Sequence, residues 1–206
     1  MDELSDQALA DFVSIALEAL RNEEDVVKGG MRAARQEHNF YVETATRQPR
    51  HLGLASVREE GAGWAIFRAL LRSRYPSKHA VEVLWEEQYQ TGREARADFL
   101  FRTRDANGSL RLLGCAELKW AAYPERVLRQ DAEKMCTNCQ DAQIRKFVLV
   151  YGVEAEGAPP FSAMLGALKR VGLRTRPEWH GPPSDPEDLY LALAEVSGDS
   201  HDAQKV

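Results

Sequence analysis

Two acids and a lysine in one short stretch of the chain have the types and spacing of a divalent-cation site. The stretch Arg93–Trp120 reads as two β-strands joined by an Asn-Gly dipeptide at residues 107–108, which is typical of a tight hairpin turn. If these two residues are the whole loop, Asp98 lies directly opposite Glu117, with Cβ atoms about 4.5–5.5 Å apart. Lys119 follows Glu117 by two residues and therefore points to the same side. Two such carboxylates repel unless a positive charge lies between them, so the pattern predicts a cation site beside a fixed ammonium group.

The other face of the hairpin supports this register, because it would be entirely apolar and typical of a core. It pairs Ala97, Phe99 and Phe101 with Leu118, Ala116 and Gly114. The acidic face also carries Leu100, Leu113 and Cys115, so we expect that face to be covered beyond the site. A three-residue loop with a bulge would slip the pairing by one residue and send the two acids to opposite faces.

The order of these residues resembles the core of the PD-(D/E)XK nuclease superfamily. That family has an acid at the start of its second core strand and an acid-x-lysine tripeptide on its third, and Asp98 and Glu117-Leu118-Lys119 match this pattern. The proline that often precedes the family's aspartate is an alanine here. The resemblance covers roughly residues 57–153. It implies Mg²⁺ or Mn²⁺ bound by the carboxylates of Asp98 and Glu117 and by the carbonyl oxygen of Leu118.

The family also places a helix before its first core strand, often with a glutamate that helps to bind the metal. Residues 57–74 read as that helix, with an apolar stripe formed by Val57, Trp64, Phe67 and Leu71. Glu60 lies on the same stripe, and an acid on a buried stripe needs a partner. We therefore expect Glu60 to join the site and its neighbour Glu59 to be solvated.

The resemblance implies a metal-dependent nuclease that hydrolyses phosphodiester bonds, with DNA favoured over RNA as the substrate. Lys119 would position or deprotonate the attacking water, or stabilise developing negative charge. Two alternatives stay open: a salt-bridged patch at a sheet edge, and a catalytically inert binding or regulatory protein on the same fold. The net charge of −5 is awkward for a nucleic-acid partner. Arginines near the site form either a phosphate track or a set of solvated side chains: Arg93, Arg96, Arg102, Arg104, Arg111, Arg126 and Arg129.

The rest of the chain predicts an α/β fold, with a mixed central sheet flanked by helices and an N-terminal helical hairpin. The hairpin would occupy residues 1–50, with an amphipathic helix over Leu4–Leu20, a break at Gly29-Gly30 and a second helix over Met31–Gln48. It could equally be a dimerisation arm in a homodimer. The nuclease-like core would span 51–196, with strands at 79–88, 147–153 and 188–196 and helices at 124–139 and 161–171. We expect a surface loop at 176–188 and a disordered tail at 197–206.

Composition restricts the class of protein further. The chain of 206 residues is long enough for one domain with a full core. We expect a cytoplasmic protein with no membrane partner, because no apolar run could cross a bilayer and the N-terminus lacks a signal-peptide pattern. Three cysteines fit a reducing compartment. Cys136 and Cys139 read as small apolar residues on a helix, since zinc would need two further ligands. His180 reads as a surface residue.

Overall fold

The computed structural model describes residues 3–38, 59–89, 95–122, 124–154, 158–185 and 188–196, with side chains in the first helix described as far as residue 29. The elements are α1 (Asp6–His38), α2 (Glu59–Arg72), α3 (Tyr75–His79), β1 (Glu82–Gln88), β2 (Arg96–Arg104), β3 (Leu110–Trp120), α4 (Glu125–Asn138), β4 (Arg145–Val153), α5 (Phe161–Arg170), β5 (Leu173–Gly181) and β6 (Leu189–Val196). They form one six-stranded sheet in the order β1-β2-β3-β4-β6-β5. Only β3 and β4 are parallel, with α4 connecting them, and the other neighbours are antiparallel. The predicted class, an α/β fold with a mixed sheet flanked by helices, is confirmed.

Each face of the sheet packs against helices through its own apolar cluster, because successive strand residues point to opposite faces. Phe99 and Phe101 pack against residues of α1 and α2, whereas Leu100 packs against residues of α4 and α5. The site described below lies on the α4 side, because Asp98 is two residues from Leu100 on β2 and therefore points to the same face. No helix among the described residues is long and apolar enough to cross a membrane.

The first helix is longer than the sequence predicted. It begins with Ser5 Oγ accepting a hydrogen bond from the Ala8 N–H at 3.1 Å, and it continues through Gly29-Gly30 to His38. The predicted break at these glycines is therefore wrong. A helical glycine costs only about 1 kcal/mol relative to alanine, and neither glycine has the positive φ of a helix end. The remainder of the predicted second helix, from residue 39 onwards, lies outside the described residues.

The hairpin of β2 and β3 contains two irregularities that offset each other. Its loop has three residues, Ala106–Gly108, because Asp105 and Ser109 still pair through a backbone hydrogen bond of 3.0 Å. The two-residue turn was therefore wrong. A bulge at Leu113 adds one residue to β3, so Phe101 pairs with Gly114 and Phe99 with Ala116, as predicted. The expectation that a three-residue loop with a bulge would send the two acids to opposite faces is therefore wrong, because the bulge restores the register that the loop shifts. The bulge also turns Leu113 into the cluster of Phe99 and Phe101, away from the predicted acidic face.

The C-terminal part of the chain adds two strands. The predicted strand at 188–196 is confirmed as β6, but it lies inside the sheet, between β4 and β5. Much of the predicted surface loop belongs to β5, whose edge position tolerates Pro177. Trp179 of this strand is fully buried, and His180 is half-buried rather than on the surface. The predicted helices at 124–139 and 161–171 are confirmed as α4 and α5, while β1 starts three residues late because α3 ends at His79.

Candidate functional site

Asp98 and Glu117 face each other across the β2–β3 pair. The register that joins Phe99 to Ala116 places these two acids opposite each other when it is continued by one residue. The Leu118 N–H donates a hydrogen bond of 2.6 Å to Asp98 Oδ2. Burial, together with the neighbouring Glu117 carboxylate, raises the pKa of Asp98 to about 6. The two acids therefore carry negative charge that their surroundings do not fully offset.

Glu117 is held by two donors that meet at one of its oxygens. Tyr89 Oη and Lys134 Nζ both donate to Glu117 Oε1, and the lysine nitrogen lies 2.9 Å from that oxygen. The Glu117 side chain is only 3% exposed. Burial and the adjacent Glu117 carboxylate raise the pKa of Tyr89, so its hydroxyl remains a hydrogen-bond donor at neutral pH. Glu117 is thus fixed in one orientation by groups from outside its own strand.

Lys119 lies between two further carboxylates. Its Nζ is 3.1 Å from Glu59 Oε2 and 3.7 Å from Asp131 Oδ2. Burial alone would lower the pKa of Lys119, but Glu59, Asp131 and Asp98 together raise it above its ordinary value. Lys119 is therefore a fixed ammonium group, as its spacing from Glu117 suggested.

The helix acid that reaches the site is Glu59, and the prediction that Glu60 would do so is wrong. Glu60 is exposed, whereas Glu59 Oε1 accepts the Trp120 N–H at 2.9 Å. Two members of the predicted stripe, Trp64 and Leu71, are exposed, whereas Phe67 is half-buried and packs against the core. Val57 lies outside the described residues. The buried face of α2 consists instead of small and aliphatic residues: Ala62, Gly63, Ala65, Ile66 and Leu70.

Close packing at Gly63 explains this rotation of α2. A Cβ on Gly63 would lie 1.8 Å from a ring carbon of Trp85, so only glycine lets the helix lie flat against that indole. The large side chains of Trp64 and Leu71 cannot occupy such a narrow space and turn to the outer face. Glu59 lies one turn before Gly63, and the same rotation brings it to Lys119.

Helix α4 supplies two site residues that the sequence had not indicated. Asp131 and Lys134 are three positions apart and therefore share a face. Asp131 Oδ2 is buried without a hydrogen-bond partner, and burial raises the pKa of this carboxyl. Asp131 lies on the same stripe of α4 as buried Leu128 and Met135. A charged residue on a buried stripe was the signal used to choose Glu60, and it could have identified Asp131 as well. Tyr89 gave no such signal, because it follows the end of β1.

The charges of the site fit one divalent cation. Its four carboxylates (Asp98, Glu117, Glu59 and Asp131) and two ammonium groups (Lys119 and Lys134) leave two negative charges when all are ionised. Among the described residues, no hydrogen bond reaches Asp98 Oδ1 or Glu117 Oε2, so each acid keeps one oxygen for a ligand. No group of three or more His, Cys, Asp or Glu in that part of the chain could hold a metal ion. Two carboxylates supplemented by waters are nevertheless a common way to bind Mg²⁺.

Two arginines of the predicted phosphate track have partners within the protein. Arg104 pairs with Glu82 at 3.2 Å, Arg111 with Gln143 at 2.8 Å, and Arg93 lies outside the described residues. Arg102 is half-buried, and the remaining members are exposed: Arg96, Arg126 and Arg129. Their contact with a phosphate backbone stays a prediction.

The cysteines form no ligand set with the acids. Cys139 is buried, and its Sγ lies 3.8 Å from the Sγ of buried Cys115, whereas Cys136 is half-buried. This arrangement agrees with the interpretation of Cys139 as an apolar residue at the end of α4.

The chain matches no protein-family model, and a search of curated proteins found no match either.

Proposed function

We propose that the protein is a metal-dependent nuclease of the PD-(D/E)XK type, hydrolysing phosphodiester bonds in DNA with Mg²⁺ or Mn²⁺. The observation that carries the proposal is the opposed pair of Asp98 and Glu117, each with one oxygen free among the described residues, beside the ammonium group of Lys119. Burial and mutual repulsion disfavour two adjacent carboxylates unless a cation is bound. A carboxyl whose pKa is raised by burial and by a neighbouring carboxylate, as that of Asp98 is, is typical of functional sites.

Each side chain of the site has a distinct role in the proposed reaction. Asp98 and Glu117 would hold the divalent cation, which would supply a lowered pKa of a bound water and a positive charge beside the scissile phosphate. Lys119 is held in its protonated form, so it stabilises negative charge on the phosphate or orients the water rather than accepting a proton. Glu59 and Asp131 keep the Lys119 ammonium in place from two sides. The carbonyl oxygen of Leu118 completes the proposed ligand set.

The alternative function is a binding or regulatory protein with an inert site. The observation that favours it is the set of ion pairs within the site, since Lys134 reaches Glu117 and Lys119 reaches Glu59. Such a network is also typical of ion pairs with a purely structural role. The net charge of −5 also opposes non-specific attraction to DNA.

Cleavage of a supercoiled plasmid in Mg²⁺ or Mn²⁺, with single-stranded DNA and RNA as parallel substrates, tests the proposal. We expect metal-dependent cleavage of DNA that Lys119→Met reduces by about 10²–10³-fold, the usual effect of removing one such charge-stabilising group. Lys169→Met is the matched control, because Lys169 is an exposed lysine on α5. Absence of cleavage of all three substrates with both metals would favour the inert alternative.

A further inference from the structure

One oxygen of Glu117 is closed to any cation. Tyr89 Oη and Lys134 Nζ both donate to Oε1, and the lysine nitrogen also lies 5.7 Å from the centre of the Tyr89 ring, within range of a cation–π contact. The two donors therefore support each other as well as the carboxylate. Glu117 is left with Oε2 as its only oxygen without a hydrogen bond among the described residues.

Both donors are set on fixed parts of the fold. Tyr89 is 4% exposed, and its N–H donates to the Ala95 carbonyl at 3.2 Å. Lys134 is in the middle of α4, where the Asn138 side chain donates to its carbonyl oxygen at 2.8 Å. Because neither donor is on a free loop, rotation of Glu117 to present both oxygens would leave a buried hydroxyl unpaired, at a cost of about 1–3 kcal/mol.

Asp98 is restricted in the same way. Its Oδ2 accepts the Leu118 N–H at 2.6 Å, which leaves Oδ1 for a ligand. The site therefore presents one oxygen from each of two carboxylates. Mg²⁺ binds six ligands at about 2.0–2.1 Å, often with one or two carboxylates and several waters, whereas Ca²⁺ takes six to eight oxygens and readily uses bidentate carboxylates.

We propose that Tyr89 and Lys134 are positioning residues that hold Glu117 to one oxygen and thereby make the site select Mg²⁺ over Ca²⁺. This inference rests on the cation site of the proposed function. Removing either donor leaves Oε1 with a single hydrogen bond and one open lone pair, so Glu117 can bind a larger ion through both oxygens. The loss of Lys134 also removes a positive charge, which strengthens binding of both cations. The ratio of the two dissociation constants is therefore the informative quantity.

Calorimetric titration of the full chain with Mg²⁺ and, separately, with Ca²⁺ tests the inference without any activity assay. We expect Tyr89→Phe and Lys134→Met each to shift the ratio of dissociation constants towards Ca²⁺ by about tenfold or more, as the gain of a bidentate carboxylate predicts. Tyr190→Phe and Lys169→Met are the matched controls and should leave the ratio unchanged. Tyr190 is another buried tyrosine with a hydroxyl hydrogen bond, to the Pro159 carbonyl, and Lys169 is exposed.

The titration distinguishes failure of the selectivity role from failure of the proposed function. If the wild-type chain binds Mg²⁺ and neither variant changes the ratio, the selectivity role is overturned while the proposed function stands. If the wild-type chain binds neither cation at millimolar concentration, both are overturned. Lys134 is 37% exposed in its side chain, so Lys134→Met provides the result even if Tyr89→Phe does not fold.

Discussion

Lys119 reaches from β3 to the first residue of α2, where its Nζ lies 3.1 Å from Glu59 Oε2. The other oxygen of Glu59 accepts the N–H of Trp120 at 2.9 Å, so one carboxylate joins the end of β3 to the start of the helix. Glu59 is consequently engaged by the protein itself and is a support for the lysine rather than a metal ligand.

We expect Glu59→Gln to reduce kcat/KM for DNA cleavage by about 10–100-fold, because the amide can still accept the Trp120 hydrogen bond but no longer holds the ammonium by charge. Glu60→Gln is the matched control one residue away, and its exposed side chain should make it silent. Equal effects of the two substitutions would contradict the role given to Glu59.

The carboxyl of Asp98 should make the metal-free protein less stable as pH rises. Its pKa rises from 3.8 to about 6 on folding, so the folded chain binds more protons between these values and the free energy of unfolding falls with increasing pH. The contribution is at most about 3 kcal/mol, at 1.36 kcal/mol per pKa unit. Asp98→Asn should remove this part of the pH dependence and stabilise the metal-free protein at pH 7. Urea unfolding at pH 4.5 and 7 measures it, with exposed Asp25→Asn as control.

Divalent cations should stabilise the protein, and this effect should weaken in acid. Mg²⁺ or Mn²⁺ bound to the folded state raises Tm by preferential binding, but below about pH 6 a proton on Asp98 competes with the cation. Thermal unfolding with millimolar metal at pH 5 and 7.5 checks this expectation. Asp98→Asn should abolish the shift. A wild-type protein with no shift at either pH would make the inert-scaffold alternative the better description.

Two glycines in helices should respond to alanine with opposite signs. Gly63→Ala places a methyl group inside the Trp85 ring, so we expect a loss of about 1–3 kcal/mol in unfolding free energy and displacement of Glu59. Gly29→Ala meets nothing within 4 Å, so it should stabilise α1 by about 0.5–1 kcal/mol through helix propensity. Chemical denaturation of both variants gives the comparison. Stabilisation by Gly63→Ala would contradict the close packing proposed for α2.

Strand β4 and helices α4 and α5 could be predicted from the sequence, because each has a continuous pattern of apolar residues. The face of α2 could not, since hydrophobicity alone favours Trp64 and Leu71 as the buried side. Burial there was decided by the shape of a partner, Trp85, that lies about twenty residues away. The choice between Glu59 and Glu60 depended on the same packing.

Tyr89 and Lys134 could not be predicted from the sequence as site residues, because only the tertiary structure brings them to Glu117. Tyr89 and Lys134 reach Glu117 from sequence separations of 28 and 17 residues, and no spacing rule connects them. The Asp98–Glu117 opposition was predicted from a turn type that was wrong. It holds because the bulge at Leu113 offsets the longer loop.

The Asp105–Ser109 pair sets the condition for changing the length of this hairpin. Surface turns usually tolerate the gain or loss of a residue. A deletion within 106–108 preserves the opposition of Asp98 and Glu117 if the shorter loop still pairs Asp105 with Ser109, since every pair beyond it is then unchanged. If the chain instead rebuilds a three-residue loop by taking one residue from a strand, the pairing shifts by one and the two acids lie on opposite faces of the sheet. An engineered loop graft must therefore preserve the Asp105–Ser109 pair rather than a particular number of loop residues.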